Sequence, residues 1–140
     1  MGDAPTSDDP RDATSRARTF ARLLETWESG DPRLISDVIT DDYRGHMEHL
    51  VDGERDAQSY PEWIRAYRAA NDQVTFEVLD QRSAGDLLWS RLRASRPDGS
   101  IARGMNCSRF QGDRIAEEWA IWTAWFTSPG PDATGERTQN

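Results

Sequence analysis

The sequence predicts an α+β fold: a cone-shaped α+β barrel with three N-terminal helices packed on a curved antiparallel sheet around a central pocket. Up to about residue 70, apolar residues recur at helical spacing; from Val74 the pattern changes to strands cut by turn signals at regular intervals. Runs of helix followed by runs of strand place the helices on one face of an antiparallel sheet. A sheet curved strongly around helices leaves an open end, which is a ready pocket. The stretch EEWAIWTAWF, residues 117–126, supplies three of the six tryptophans and so a candidate pocket wall.

The first helix opens with Asp9 as cap and Pro10 at the first helical position. Ala13, Ala17, Phe20, Ala21, Leu24 and Trp27 then form one apolar stripe, and Gly30 ends the helix. Asp31 and Pro32 start a second, short helix whose buried residues are Leu34, Ile35, Val38 and Ile39. A tight segment, DDYRGHMEH, precedes a third helix at SYPEW, where Ser59 and Glu62 have capping-box spacing and Trp63, Ile64, Tyr67 and Ala70 face inward. VTFEVLD, LLWSRLRAS, IARGMNCSRF and RIAEEWAIWTAWF read as a four-stranded meander, with hairpin signals at Asp98-Gly99 and Gly112-Asp113. Alternation on the last strand puts Glu117, Trp119, Ile121, Thr123 and Trp125 on one face and Glu118, Ala120, Trp122 and Ala124 on the other; one bulge would exchange the sets beyond it. The predicted domain spans 12–126, with disordered tails at 1–11 and 127–140 that are rich in Asp, Pro, Gly, Ser and Thr.

The net charge is -8, and all 17 basic residues are arginines spread singly. That speaks against a nucleic-acid footprint and an anionic membrane surface. No apolar run reaches transmembrane length. The single Cys107 cannot form an internal disulfide and fits a reducing cytoplasm, as a small buried hydrophobe.

The segments LLETWESGDPRLISDVITDDYRGHMEH, VTFEVLDQRSAGDLLWSRLRAS and FQGDRIAEEWAIW, in this order and spacing, resemble the nuclear-transport-factor-like superfamily. The likeness covers about residues 12–126 and points to the branch of SnoaL-like polyketide cyclases and limonene-epoxide-hydrolase-like enzymes. It implies a cone interior that holds one small, apolar, oxygenated ligand. It also implies aldol cyclisation, isomerisation, dehydration or epoxide opening, without metal or organic cofactor. His46 matches the histidine that follows an aromatic, here Tyr43, and Arg91 matches a pocket arginine of the epoxide-hydrolase branch. Arg93 stands where that branch has a catalytic Asp, and Ala120, Ile121 and Thr123 fill its later acidic slot, which argues against epoxide hydrolysis by that route.

His46 is the proton carrier predicted from chemistry, since an unperturbed imidazole titrates near pKa 6.5, with a surface or capping histidine in a turn as the alternative. His49 is expected to be exposed, and HMEH lacks the spacing of a metal site. Of the adjacent glutamates one must face inward, where indoles would desolvate it; Glu118 is the choice, and a cross-strand ion pair to Arg103 or Arg109 is the alternative role. Arg91, if inward, and Asn106 would stabilise negative charge on a substrate oxygen; the alternatives are an outward Arg91 that solvates the sheet with Arg93 and an Asn106 that pairs with a backbone edge. Trp27, Tyr43, Trp63, Tyr67, Trp89, Trp119 and Trp122 are read as pocket wall, suited to a flat ligand. The predicted activity is a cyclase or isomerase of secondary metabolism; a non-catalytic binding module, a dimeric scaffold and an epoxide-hydrolase- or dehydratase-type member are the alternatives. A homodimer is expected through the aromatic outer sheet face, with Trp122 or Trp125 as anchors.

Overall fold

The structure is a computed structural model and describes residues 10–127. Helix α1 (Pro10–Ser29) begins at the predicted proline. Pro10 and Arg11 therefore belong to the helix and Thr127 to a strand, while the rest of both expected tails lies outside the described residues. Phe20 and Leu23 are buried on α1, together with Thr19 and Thr26, whereas Ala21 is exposed. The buried face is thus rotated from the predicted stripe. The two threonines fit it because their hydroxyls donate to the Ser15 and Arg22 carbonyls one turn back.

The predicted second helix is only a three-residue 3-10 turn, Ile35–Asp37. Leu34 is exposed, and Ile39 already starts strand β1 (Ile39–Met47), so the DDYRGHMEH segment is a strand instead of a tight connection. The i→i+3 bonds of the turn run from the Ile35, Asp37 and Val38 N–H groups to the Pro32, Leu34 and Ile35 carbonyls, and they end there because Ile39 pairs with Ile115 in the sheet. Strand β2 (Glu54–Asp56) follows, then helix α2 (Tyr60–Ala70) with Ile64 buried. The Ser59 side chain does not cap α2. It pairs backwards instead: Ser59 N–H donates to Asp56 Oδ1 at 2.8 Å, and Asp56 N–H donates to Ser59 Oγ at 3.0 Å. That is the reciprocal capping box, set one turn earlier than predicted.

Strands β3 (Thr75–Ala84), β4 (Leu87–Ser95), β5 (Ser100–Gln111) and β6 (Arg114–Trp122) form the predicted meander. The last predicted strand ends early, and β7 (Phe126–Thr127) pairs with the start of β5. The sheet order is β2-β1-β6-β5-β4-β3, antiparallel except that β1 runs parallel to β6. Irregularities in register lie between Ile39 and Arg44, Val78 and Asp80, and Arg109 and Phe110; such bulges bend a sheet. The two helices pack on one face of the curved sheet, with Phe20, Leu23, Tyr43, Tyr60, Ile64, Leu88, Leu92, Phe110 and Ile115 at the core. Among the described residues no helix is long and apolar enough to cross a membrane.

Candidate ligand-binding and active site

Strand parity decides which side chains meet beneath the helices. On β4 the buried set is Leu88, Ser90, Leu92 and Ala94. On β5, Gly104, Asn106 and Ser108 stand beside them; on β6, Glu118, Ala120 and Trp122 complete the row. These strands, with α1, α2 and the chain after β1, enclose a cavity of about 410 Å³. Trp27, Trp63, Tyr67, Phe76, Trp122 and Trp125 line it. Trp125 enters because β6 stops at Trp122 and the chain turns inward. Trp122 enters because Gly104 faces it across the β5–β6 ladder: a Cβ there would lie 2.4 Å from the indole. Burial pushes the Tyr67 hydroxyl up to about 12, partly offset by Arg96, so it stays a neutral donor.

Polar groups gather at the deep end. Glu118 is 1% exposed, and its carboxylate accepts from Tyr43 Oη at 2.7 Å, Ser108 Oγ at 3.0 Å and Asn106 Nδ2 at 3.3 Å. The Arg55 guanidinium stands 3.6 Å from it, 5% exposed. Arg55 also donates to Tyr43 Oη at 3.2 Å and lies over the rings of Tyr60, Trp27 and Trp63 at 4.5 to 5.7 Å, a cation–π setting. Burial pulls the guanidinium pKa down, but Tyr43, Tyr60 and Glu118 more than reverse this, so it is held charged. Burial also raises the Tyr43 hydroxyl well above its ordinary value, which keeps it a donor.

A gap in β1 makes this cluster possible. Gly45 is in register with Arg55 on one side and Glu118 on the other. With no side chain between them, the guanidinium reaches across the strand. A Cβ on Gly45 would lie 2.5 Å from Tyr43 Oη and 2.9 Å from Arg55 Nε.

The cluster also fixes the orientation of Asn106. Ser108 Oγ spends its only hydrogen on Glu118, so it accepts from Asn106 Nδ2 at 2.8 Å. The amide nitrogen is thereby engaged, and Oδ1 is left for the cavity that Asn106 lines.

Of the predicted residues, Glu118, Asn106, Trp27, Trp63, Tyr67 and Trp122 line the cavity. Tyr43 lies behind the floor as a donor to Glu118. His46, Arg91, Trp89 and Trp119 do not line it. On β1 the inward residues are Tyr43, Gly45 and Met47, so His46 faces the outer side of the sheet. There it bridges Glu54 and Glu117, both at 2.7 Å, and stacks on Trp119. Arg91 shares the outer face of β4 with Trp89 and Arg93, opposite Met105. Glu117 takes the alternative role foreseen for one glutamate, an ion pair to Arg109 at 3.2 Å.

Arg55 and His49 were missed, as were other lining residues such as Phe76 and Asn71. Arg55 sits on a three-residue strand, too short to show a period. His49 was set aside as exposed, which it is, yet it lines the mouth of the cavity. Its Nδ1 accepts from the Trp122 N–H at 3.2 Å, which places the ring proton on Nε2, and burial lowers its pKa.

A model of the SnoaL-like domain matches residues 20–118. Wild-type IdmH of Streptomyces antibioticus, a candidate polyketide cyclase, is 26% identical with a TM-score of 0.65 over 76% of this chain and 91% of that one. Two NTF2-like proteins share the fold. That of Mesorhizobium loti, of unknown function, is 22% identical with a TM-score of 0.66 over 84% and 98% of the two chains. That of Anabaena variabilis is 11% identical with a TM-score of 0.72 over 87% and 96%. No curated protein matches the sequence. With the family model covering most of the chain and the cone built as in these structures, the protein belongs to the SnoaL-like domain family of the nuclear-transport-factor-like superfamily.

Proposed function

We propose that the protein is a cofactor-independent cyclase or isomerase acting on a neutral, apolar, oxygenated ligand of polyketide type. The observation that carries this reading is an aromatic cavity of about 410 Å³ in whose lining the buried Arg55, Asn106 and Glu118 form one polar cluster. The charges of Arg55 and Glu118 offset each other, so the floor suits an uncharged ligand. Arg55 takes the part expected of Arg91: with Asn106, it fixes and polarises ligand oxygens while the indoles hold the carbon skeleton in a reactive shape. Among the described residues Glu118 is the sole carboxylate in the lining. Its oxygens are already engaged by three donors, so its first role is to hold Arg55 and Asn106, and proton transfer through it requires a donor to swing away. The proton-carrier role expected of His46 is withdrawn, because that ring faces the other side of the sheet.

Tryptophan fluorescence titrated with a neutral tricyclic ketone such as anthrone tests the binding. Incubation with oxygenated biosynthetic intermediates, followed by mass spectrometry, tests turnover. Micromolar binding together with conversion that is lost in Asn106→Leu supports the enzyme. Binding without conversion of any such compound favours the non-catalytic module, to which the fully engaged Glu118 lends weight.

The outer sheet face carries the proposed homodimer contact. Trp89, Met105 and Ile121 are 45 to 52% exposed there and adjoin Trp119. These residues replace Trp122 and Trp125 as anchors, since both of those indoles line the cavity. Sedimentation of the wild type against Trp89→Arg tests this contact: a dimer that becomes monomeric supports it.

A further inference from the structure

His46 lies outside the cavity, yet its position is tied to the cavity floor. Strands β2, β1 and β6 lie side by side, and their two faces carry two sets of charges. On the inner face Arg55, Gly45 and Glu118 are in register. On the outer face His46 is in register with Glu54 and reaches Glu117. Each clamp residue on β2 and β6 is the immediate neighbour of a floor residue.

The geometry requires a protonated ring. Nδ1 is 2.7 Å from Glu54 Oε2, and Nε2 is 2.7 Å from Glu117 Oε2. Only an imidazolium donates from both nitrogens; a neutral ring would point a lone pair at one of the carboxylates. Trp119 stacks on the ring at 5.6 Å with an 18° angle between planes, which limits any swing away.

The groups around it decide which arm lets go. Glu117 on β6 is also held by Arg109 of β5 at 3.2 Å. Glu54 on β2 is 66% exposed and has no other ion pair among the described residues. Arg44 lies on the same face of β1, two residues before His46, and Glu48, just past the end of the strand, adjoins Trp119 on that side of the sheet. Loss of the proton therefore releases Glu54. Strand β2 is an edge strand three residues long, and it bears Arg55.

We propose that His46 is a positioning residue whose protonated ring clamps β2 to β6, so that Arg55 is held at the cavity floor and ligand binding weakens when the proton leaves. Burial lowers the ring's pKa, but Glu117 and Glu54 outweigh it and the net shift is upward from 6.5, so the change falls above that pH. His49 at the cavity mouth titrates below 6.5, in a separate range.

The effect on affinity rests on the proposed ligand-binding role of the cavity, whereas the clamp itself does not, so two readouts are used. Exchange protection of the Arg55 Nε–H and of the amides of residues 54–56 reports the clamp. The dissociation constant for the neutral fluorophore N-phenyl-1-naphthylamine reports the cavity. Both are followed from pH 5.5 to 9 in wild type, His46→Gln and Glu54→Gln, with the imidazole titration read by NMR.

The expected result is a loss of protection and a rise in dissociation constant of about two- to fivefold, the scale of one partly exposed ion pair. Both changes should share the midpoint of the His46 ring. His46→Gln should hold the high-pH values throughout with no midpoint, and Glu54→Gln, which keeps the ring and Glu117, should do the same if the first variant fails to fold. Flat protection while the imidazole titrates, or an unchanged midpoint in the variants, overturns the clamp. A probe that binds at no pH counts against the cavity reading alone, and the exchange data still decide the clamp.

Discussion

Substituting Gly45 by Ala tests the floor of the site at its narrowest point. Gly45 is needed there for space, since its φ is not among the positive ones. The new Cβ would sit 2.5 Å from Tyr43 Oη, 2.9 Å from Arg55 Nε and 3.0 Å from Arg55 Cγ. All three atoms are buried, so none can retreat into solvent. Overpacking of this kind costs about 1–3 kcal/mol. Pushing Tyr43 off the Glu118 carboxylate removes a hydrogen bond to a charged group, about 1.5–3 kcal/mol more. The lower entropy of alanine in the unfolded chain returns about 0.4–1 kcal/mol. A net loss of roughly 2–5 kcal/mol follows, which for a domain of this size lowers Tm by about 8–20 °C. Urea and thermal unfolding measure it, in the wild-type and Tyr43→Phe backgrounds. Without the hydroxyl the nearest clash disappears, so the cost of Gly45→Ala should fall by about half. A loss under about 0.5 kcal/mol, or one equal in both backgrounds, would show that Arg55 and Glu118 do not meet across β1.

Three further outcomes are expected. Glu118→Leu should destabilise by about 3–5 kcal/mol, because it leaves the Arg55 guanidinium buried without its counter-charge, and urea unfolding at pH 7 checks it. Gly104→Ala should push Trp122 into the cavity, since the added carbon would lie 2.4 Å from its ring; about tenfold weaker binding of N-phenyl-1-naphthylamine with an altered tryptophan emission is the readout. Stability should peak in mildly acidic solution. The upward shift at His46 gives a contribution fully present below 6.5 and lost as pH rises through the folded pKa. The hydrogen bond from His46, aided by Arg109, outweighs desolvation and depresses the Glu117 carboxyl, giving a contribution present above 4.5 and lost as pH falls. Urea midpoints measured from pH 4 to 9 should decline on both sides in wild type and lose the alkaline decline in His46→Gln.

Periodicity made much of this protein legible in its sequence. The meander from Thr75 to Trp122 and the two long helices follow from alternating and helical apolar spacing, which burial of one face imposes locally. The same parity placed Glu118 and Trp122 together on β6, and both line the cavity. It was also available on β4, where Trp89 stands in step with Arg91 and Arg93. Reading Trp89 as pocket wall put bulk ahead of that company, and the indole is 47% exposed.

What the tertiary structure alone decided lies in β1 and β2. The inward set on β1 is Tyr43, Gly45 and Met47, and a glycine in the middle of an apolar row erases the alternation that would have turned His46 outward. Arg55 has no pattern to betray it, because three residues do not make a period. Its burial depends on a carboxylate 63 positions away in the chain, brought alongside when β1 pairs parallel to β6. Spacing along the chain records which side chains share a face; which faces meet, and across which missing Cβ, is settled only when the strands pair.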